Sequence, residues 1–354
     1  MRRIFLESHN LKNKNAGLGK FNYELIKAIS QLTIDDLEIH LNVKDLSEAK
    51  KEFGEIFKYH KYSSLQRHKL FRIRKKIDVW HSLNQNTKVE PFRQPEKYIL
   101  TIHDVNFVEE VSSDSAHKVN VLFKEKIKRA TTITYISEFA KQQTHQYFEI
   151  PTHVQEVVIY NGNPITEKLN LADFQPDLPL DKPFFYSLGD FIPRKNFISL
   201  LEMMRLIPDY NLVISGNNSK KYGDEVRDYI SKYKLENRVF LTGTVTEQAK
   251  QFYLSNSVAF LFPSIREGFG LPPIEAMKFG KPVFLSTRTS LPEIGGDAAF
   301  YWDNFDPEYM KSVLFDRLDY FESDQENVQK KLIERAGFFN WETAAAQYLK
   351  LYRQ

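Results

Sequence analysis

The sequence has 354 residues, of which 42% are hydrophobic and 27% charged, and its formal net charge is +3. This length predicts two or three domains with an ample core, and the near-neutral charge argues against a nucleic-acid-binding protein. Because cysteine is absent, disulfides, zinc–thiolate sites and thiol nucleophiles are excluded and a reducing compartment is favoured. The apolar run at the start is too short for a signal peptide and no stretch is long enough to span a membrane, so we expect a cytoplasmic protein.

The first half of the chain alternates short apolar runs with amphipathic stretches. Strands are predicted at residues 3–7, 37–42, 78–83, 98–103, 132–135 and 156–160, and a first helix at about 21–32. The loop 8–20 contains Gly17 and Gly19, so its backbone can approach an anion, but it lacks the third glycine of a dinucleotide fingerprint. His103 and Asp104 end an apolar strand, where ligands bind in open α/β sheets. Taken alone, His103 is better explained as a core histidine.

Residues 58–76 form a strongly basic stretch that includes Lys61, Arg67, Lys69, Arg72, Arg74, Lys75 and Lys76. Leu65, Leu70, Ile73 and Ile77 recur within it at near-helical spacing, which predicts a basic amphipathic helix. A helix of this kind can lie on an anionic membrane surface, which would place the protein peripherally on the inner face of the membrane. The favoured alternative is a solvated helix that covers the sheet.

A second series of strands and helices begins after a proline-rich stretch. Pro176, Pro179 and Pro183 interrupt any periodicity and predict a linker over residues 166–183. Further strands are predicted at 184–189, 211–216, 239–243, 258–262 and 283–286. Strands that alternate with helices predict parallel sheets with helices on both faces. The tail 340–352 has the apolar spacing of a helix that packs on one face.

Residues 263–280 (PSIREGFGLPPIEAMKFG) combine the features of a ligand site. A predicted strand leads to Glu267, the loop 268–271 and two prolines that can open a helix, whose first turn holds Glu275. Free N–H groups at a glycine-bearing loop and helix N-terminus suit an anion, whereas carboxylates accept hydrogen bonds from hydroxyls. A ligand with both phosphate and hydroxyl groups is typically a nucleotide sugar. The ordinary alternative is a strand–loop–helix unit in which Glu267 is merely solvated.

This string resembles the E-x7-E signature of retaining, nucleotide-sugar-dependent glycosyltransferases of family 4, with Glu267 and Glu275 at its two ends. The resemblance continues to Asp297, and the earlier glycine loop, the His103-Asp104 pair, residues 193–196 and Gly243 follow the family's pattern in order. It implies the GT-B architecture, an α/β fold in which two Rossmann-like, doubly wound parallel-sheet domains face each other across a cleft. The expected division is an acceptor-side domain 1–165, a linker 166–183, a nucleotide-sugar-binding domain 184–338 and a C-terminal helix 339–354 that crosses back onto the first domain.

The resemblance also implies roles for individual residues. Arg194 and Lys195 would hold the donor diphosphate, Glu275 the ribose hydroxyls, and Glu267 the hexose and phosphate. Many family members carry an arginine where this chain has Asp190, and Arg194 is expected to supply that charge; Lys195 is expected to be exposed. The implied catalytic residues are His103, Glu267, Arg194 and Lys195. The implied donor-binding residues are Gly17, Gly19, Arg194, Lys195, Gly243, Thr244, Val245, Glu267, Gly268, Phe269, Gly270, Leu271 and Glu275.

The function implied is transfer of a hexose, in first place mannose, from GDP-mannose or a UDP-sugar to a saccharide or lipid-linked acceptor in cell-surface polysaccharide or glycolipid synthesis. Because the sequence has no D-x-D motif, no metal site and no cofactor beyond the donor are expected. The alternatives are a non-hydrolysing sugar-nucleotide epimerase and a non-catalytic sugar-nucleotide-binding protein. A nicotinamide oxidoreductase is disfavoured because neither half carries the three-glycine fingerprint.

Overall fold

The computed structural model describes residues 1–14 and 17–354 and divides into two compact units. Unit 1 comprises Met1–Gly162 and Asn340–Gln354, and unit 2 comprises Asn163–Phe339. Residues 166–183, predicted to be a linker, lie within unit 2. They are held there because Leu178 and Leu180 pack against its core and Gln251 hydrogen-bonds the backbone of residues 167 and 169.

Unit 1 contains a parallel sheet, with its elements numbered along the chain. Over the described residues its strands are β1 (Arg2–Glu7), β2 (Leu37–Val43), β3 (Lys58–Lys61), β4 (Val79–Ser82), β5 (Lys97–Ile102), β6 (Thr132–Tyr135) and β7 (Gln155–Val158). Their spatial order is β3-β2-β1-β4-β5-β6-β7. The inner strands are almost wholly buried because both faces of a parallel sheet are covered, whereas the edge strands β3 and β7 are partly exposed.

The helices of unit 1 are α1 (Gly17–Ser30), α2 (Leu46–Phe53), α3 (Phe107–Glu110), α4 (Lys118–Arg129), α5 (Glu138–Tyr147) and α13 (Trp341–Arg353). Helix α1 begins at Gly17, not near Phe21 as predicted; residues 15 and 16 of the predicted loop lie outside the described part. Gly19 is required where α1 starts, because a Cβ there would lie 1.8 Å from the carbonyl oxygen of Asn13. The two glycines predicted to line an anion loop therefore belong to the first turn of a helix.

Helix α13 packs on α1 and is joined to the sheet by buried hydrogen bonds. The His81 ring lies 2.7 Å from the hydroxyl of Tyr352 through Nδ1 and 2.7 Å from that of Thr101 through Nε2. Tyr348 and Tyr352 are fully buried, so the tail is part of the core of unit 1.

The helix predicted within residues 58–76 is wrong. The stretch begins as edge strand β3 and continues as two short 3-10 turns, Ser64–Arg67 and Lys69–Phe71. Ser63 caps the first turn by accepting from the Leu65 N–H, and His68 between the turns has an extended backbone that stops helix propagation. The apolar residues thus do not form the continuous stripe that their spacing suggested.

Unit 2 has a second parallel sheet. In the described chain its strands are β8 (Phe184–Leu188), β9 (Asn211–Ser215), β10 (Val239–Gly243), β11 (Phe260–Phe262), β12 (Val283–Ser286) and β13 (Phe300–Trp302). Its helices are α6 (Phe197–Met204), α7 (Lys221–Lys232), α8 (Glu247–Asn256), α9 (Leu271–Met277), α10 (Leu291–Gly295), α11 (Pro307–Ser323) and α12 (Gln325–Phe338). The spatial order β10-β9-β8-β11-β12-β13 repeats the order of the first six strands of unit 1. The prediction of two Rossmann-like, doubly wound units is confirmed.

This topology locates the ligand edge of unit 2. The strand order reverses between β8 and β11, and open α/β sheets bind ligands at such a switch point, beyond the carboxyl ends of the strands. The segments 193–196 and 263–271 follow β8 and β11, and they contain Arg194, Lys195 and the predicted site residues 267–271. Within the described residues, no helix is long and apolar enough to cross a membrane.

Candidate functional site

Two cations and one carboxylate meet at the switch point of unit 2. Arg194 and Lys195 lie on a short 3-10 turn after β8, and Glu267 lies on the loop after β11. Lys195 Nζ donates to Glu267 Oε1 at 2.6 Å, and Arg194 Nη1 lies 2.9 Å from the same oxygen. Three residues that the sequence analysis selected separately are thus in direct contact.

Lys195 is buried rather than exposed as predicted. Only 6% of the residue is accessible, and its ammonium group lies 4.5 Å from the ring centroid of Phe262. Arg194 remains about one-third exposed, with 31% of its side chain accessible, and also donates to the carbonyl of Arg266 at 2.7 Å. The buried lysine therefore fixes the carboxylate, while the arginine is the cation that solvent or a ligand can reach.

The two neighbouring cations favour the charged form of Glu267. Burial raises the pKa of Glu267, but Lys195 and Arg194 outweigh burial, so the pKa of this carboxyl lies below its usual range. Burial lowers the pKa of Lys195, and Glu267 opposes that shift. With Glu267 ionised, one negative charge faces two cationic side chains. The cluster therefore has an excess of one positive charge.

The loop around Glu267 is fixed by hydroxyl groups. Ser264 Oγ donates to Glu267 Oε1 at 2.6 Å, and the N–H of Glu267 donates to Thr289 Oγ1 at 3.0 Å. Ser290 Oγ lies within hydrogen-bond distance of the carbonyls of Glu267 and Phe269. The sequence analysis missed these three residues, because an isolated serine or threonine gives no local signal of a contact across the fold.

Helix α9 begins directly after this loop. Gly270 has φ +122°, in the region that favours glycine, and the following Leu271-Pro272-Pro273 opens the helix as predicted. The helix ends at Met277, so it has seven residues and its dipole is short. The contribution of the backbone of Gly268, Phe269, Gly270 and Leu271 to donor binding stays a prediction, and the side-chain cations supply the larger local charge.

Glu275 projects from α9 into a second charged group. Its Oε2 lies 3.0 Å from Lys250 Nζ on α8, and the same ammonium group lies 3.0 Å from Glu247. Glu275 is 5% accessible, and burial of Lys250 is outweighed by the two carboxylates, which raise the pKa of its side chain. Lys250 was not selected from the sequence, since it lies outside the motif and pairs with it only through the packing of α8.

The predicted base-binding backbone follows β10. Gly243 has φ +68° and accepts from the Gly216 N–H at 2.8 Å, and Thr244 after it is exposed. Val245 packs against the core of unit 2. A Cβ on Gly216 would lie 1.9 Å from the Gly189 carbonyl oxygen, so the ends of β8 and β9 approach closely. The three residues 243–245 are at the carboxyl edge of the sheet, where the prediction places them.

His103 lies in unit 1, at the carboxyl end of β5. Its Nε2 lies 2.8 Å from the carbonyl oxygen of Leu83, which makes Nε2 the donor and Nδ1 the hydrogen-bond acceptor of the neutral ring. Burial lowers the pKa of His103 to about 4. The Phe21 ring contacts it edge-on, with 4.6 Å between centroids. His103 is therefore a neutral, fixed imidazole near pH 7.

Across residues 1–14 and 17–354, no group of three or more histidine, aspartate or glutamate side chains is arranged to hold a metal ion.

Comparison with known proteins shows what this site and its surroundings are similar to. Residues 170–337 match the family model described as glycosyl transferases group 1. The chain is 25% identical over 279 residues to O-antigen chain mannosyltransferase B of Escherichia coli, an alignment that covers 73% of this chain and 70% of the relative. It is 25% identical over 223 residues to O-antigen chain mannosyltransferase RfbU of Salmonella typhimurium, covering 61% and 59%. A shorter alignment, 41% identical over 122 residues, covers 29% of each chain and matches alpha-1,3/1,6-mannosyltransferase ALG2 of Dictyostelium discoideum.

Solved structures share the fold over the whole chain. Sucrose-phosphate synthase of Thermosynechococcus elongatus has a TM-score of 0.74 at 20% identity, with 100% of this chain and 99% of that chain covered. Anabaena HepE, in a structure with UDP and glucose, has a TM-score of 0.74 at 15% identity with full coverage of both chains. These likenesses concern the fold.

Proposed function

We propose that this chain, whose residues 170–337 match the model for glycosyl transferases group 1, transfers mannose from a nucleotide sugar to a saccharide acceptor with retention of the anomeric configuration. The relatives described above are named as mannosyltransferases of O-antigen chains, which supports mannose as the sugar. GDP-mannose is the proposed donor. A UDP-sugar is the second candidate, because the similar HepE fold was solved with UDP and glucose.

The observation that carries this proposal is the buried pair of Lys195 and Glu267 with Arg194 beside it. Cleavage of the bond between the anomeric carbon and the diphosphate places negative charge on the leaving phosphate. A preorganised cation stabilises such charge strongly, because it needs no reorientation during the reaction. The excess positive charge of the trio supplies that cation, and the guanidinium of Arg194, with 31% of its side chain accessible, is the part of the trio that a phosphate can approach from solvent.

The second charged group is proposed to bind the ribose. Lys250 Nζ lies 3.0 Å from Oε2 of the buried Glu275 side chain and fixes its orientation. An ionised carboxylate accepts hydrogen bonds from the two hydroxyls of a ribose. The two charged groups are thus proposed to bind different parts of the donor. Glu267 and the cations contact the diphosphate and hexose, and Glu275 contacts the nucleoside.

His103 is proposed to contact the saccharide. Its Nε2–H is taken by the Leu83 carbonyl, so the ring can accept a hydrogen bond from a sugar hydroxyl at Nδ1. Because the ring is neutral near pH 7, it adds no charge that would oppose an oxocarbenium-like transition state. We assign His103 a binding role toward a hydroxyl, not the role of an acid.

The acceptor is proposed to be a growing saccharide or a lipid-linked saccharide, used at the inner face of the membrane. This follows the named role of the relatives in O-antigen chains. The epimerase alternative is not favoured, since these relatives are named as transferases. A non-catalytic binding protein is disfavoured because a buried lysine and two buried glutamates are costly to retain without a use for their charge.

Thermal unfolding in the presence of single nucleotide sugars tests the donor. A ligand at a hundred times its dissociation constant stabilises the folded protein by about 2.7 kcal/mol, so GDP-mannose should raise the melting temperature while UDP-glucose and free mannose should not. Lys195→Ala should abolish this shift in melting temperature. The control variant Lys232→Ala, which removes a lysine at the end of α7, should keep it. If UDP-glucose alone stabilises the protein, the donor is a UDP-sugar and not GDP-mannose.

Product analysis tests the reaction. With GDP-mannose and a saccharide acceptor, NMR of the product should give the same anomeric configuration as the donor. An altered sugar nucleotide formed without acceptor would establish the epimerase instead, and donor binding without any product would establish the non-catalytic protein.

A further inference from the structure

One segment of unit 1, residues 62–76, is cationic and contains no balancing carboxylate. It carries six lysine or arginine residues and no aspartate or glutamate. Lys75 is paired with Glu38 at 3.0 Å, but Arg67, Lys69 and Lys76 are exposed and, among the described residues, make no ion pair. We refer to residues 62–76 as the cationic segment.

The same segment exposes large apolar side chains. Leu70 is 75% accessible, Phe71 54% and Leu65 50%, and Leu70 and Phe71 are adjacent in the chain. Single exposed apolar residues are common on protein surfaces, whereas a group of three within seven residues marks a contact surface. Arg67 and Lys69 lie between Leu65 and the Leu70-Phe71 pair, so exposed cations and exposed apolar side chains occur within the same seven residues.

The local structure explains why these side chains point outward. Leu65 and Leu70 lie on separate 3-10 turns, and the extended His68 between them prevents a continuous helix that could bury one face against the sheet. The segment is nevertheless fastened at both ends. The Tyr62 N–H donates to the Val43 carbonyl at 2.7 Å, and the Arg74 guanidinium lies 5.1 Å from the ring centroid of Phe92.

The segment also leaves the sheet at a defined place. It follows β3, the edge strand, and therefore starts at the carboxyl edge of the parallel sheet, the same edge at which His103 lies in this unit. The cationic segment is therefore held next to the carboxyl edge of the unit 1 sheet, which is the edge where open α/β sheets bind ligands.

We propose that the cationic segment docks unit 1 on an anionic lipid bilayer, with Leu70 and Phe71 inserted among the acyl chains and the flanking cations on lipid phosphates. The positive charge of the segment favours an anionic partner. The exposed side chains of Leu70 and Phe71 favour a bilayer over a dissolved polyanion, because a bilayer offers both phosphates and hydrocarbon. The inference deepens the proposed function, since a lipid-linked acceptor lies at a bilayer surface. Vesicle binding, however, needs neither donor nor acceptor, so its outcome is independent of the reaction.

Sedimentation with vesicles tests separately the contributions of the cationic side chains and of the exposed apolar side chains to membrane binding. The unmodified protein should sediment with vesicles of phosphatidylcholine and phosphatidylglycerol at low salt, and much less with phosphatidylcholine alone. Arg67→Gln/Lys69→Gln should weaken partitioning roughly tenfold, since each cation near the surface contributes to the attraction, and added salt should weaken the parent in the same way. Leu70→Ser/Phe71→Ser should weaken it at least as much, with the salt dependence retained.

Matched controls isolate the segment from general surface properties. Lys330→Gln/Lys331→Gln removes two exposed lysines from α12, and Val121→Ser/Leu122→Ser removes two exposed apolar residues from α4. Both controls should sediment like the parent. If they weaken binding as much as the segment variants, or if the parent fails to bind phosphatidylglycerol vesicles at low salt, the proposal is overturned.

A tryptophan probe tests insertion directly. The natural tryptophans Trp80, Trp302 and Trp341 are buried, so Phe71→Trp adds an exposed indole whose emission can be followed. On vesicle binding its emission should shift to the blue and be quenched by lipids brominated in the acyl chain. Unchanged emission, or tighter binding to single-stranded RNA than to vesicles, would contradict docking on a bilayer. The melting-temperature shift with nucleotide sugar should be the same in all these variants.

Discussion

The two sheets of this protein share a strand order but carry different chemistry at their carboxyl ends. In unit 2, the segments after β8 and β11 bring Arg194, Lys195 and Glu267 together, and the cluster keeps an excess positive charge. In unit 1, the edge carries His103, which burial keeps neutral. Helix α1 begins there with Gly17 and Gly19, and Gly19 is packed against the preceding turn.

The difference indicates which kind of ligand each edge suits. An anion such as a diphosphate needs fixed positive charge, whereas a saccharide offers neutral hydroxyls that a neutral imidazole can bind. A repeated strand order therefore supplies two equivalent positions, and the side chains placed there decide the chemistry. Four measurements bear on this contrast.

Removal of Lys195 should have the largest effect, because it removes the excess positive charge that distinguishes the unit 2 edge from the unit 1 edge. Lys195→Ala leaves Glu267 with Arg194 alone, so the excess positive charge disappears. Turnover should fall by roughly 10²–10³, the scale for loss of one preorganised transition-state contact. Because Lys195 is buried and paired, we also expect the protein to lose about 1–3 kcal/mol of stability. Initial rates at saturating donor and thermal melting measure the two effects.

Lys195→Arg separates charge from fit. It keeps a cation at the site and should recover part of the rate, although its planar head is larger than the ammonium group. A near-normal rate for Lys195→Ala in folded protein would show that the leaving group lies elsewhere.

The roles of the two glutamates in unit 2 should separate kinetically. Glu275→Ala should raise the Michaelis constant for donor roughly tenfold with turnover little changed, because ribose contacts are alike in ground and transition states. Glu247→Ala is the matched control, since it removes the other carboxylate 3.0 Å from Lys250. If Glu275→Ala lowers turnover and leaves the Michaelis constant unchanged, its assignment to the ribose is wrong.

Acid should weaken unit 1 through its neutral histidines. Burial lowers the pKa of His81 to about 3, whereas an unfolded histidine titrates near 6.5. Stability from the neutral ring is therefore complete above pH 6.5 and is lost as the pH falls toward 3. His81 alone should contribute roughly 2 kcal/mol to the loss of stability between pH 6.5 and 5, read from the urea midpoints of the parent and of His81→Asn. His81→Asn should be less stable than the parent at pH 7, but its unfolding free energy should depend less steeply on pH. If the pH dependence is as steep as in the parent, groups other than His81 cause the acid destabilisation.

Chelation should have the smallest effect. If Arg194 and Lys195 stabilise the diphosphate, activity should be unchanged in excess EDTA. Activity that is lost on chelation and restored by magnesium or manganese would mean that a metal ion supplies the charge, and that the contrast between the two edges is not one of side chains alone.

The sequence by itself determined the fold class and the main motif. Alternating apolar and amphipathic runs predicted most strands, because each run reflects local burial in a parallel sheet. The string from Glu267 to Glu275 pointed to a nucleotide-sugar site, because a loop, two prolines and a helix are encoded by adjacent residues.

The tertiary structure decided what those residues contact. Lys195 and Glu267 are 72 positions apart, and their pairing depends on β8 and β11 being neighbours, which no local pattern specifies. Lys250 reaches Glu275 only because α8 packs beside α9. The spacing of Leu65 and Leu70 predicted a helix, but the capped turns at Ser63 and His68 and the edge strand β3 imposed another backbone. Local sequence fixes propensity, whereas contacts between distant segments depend on which strands and helices become neighbours.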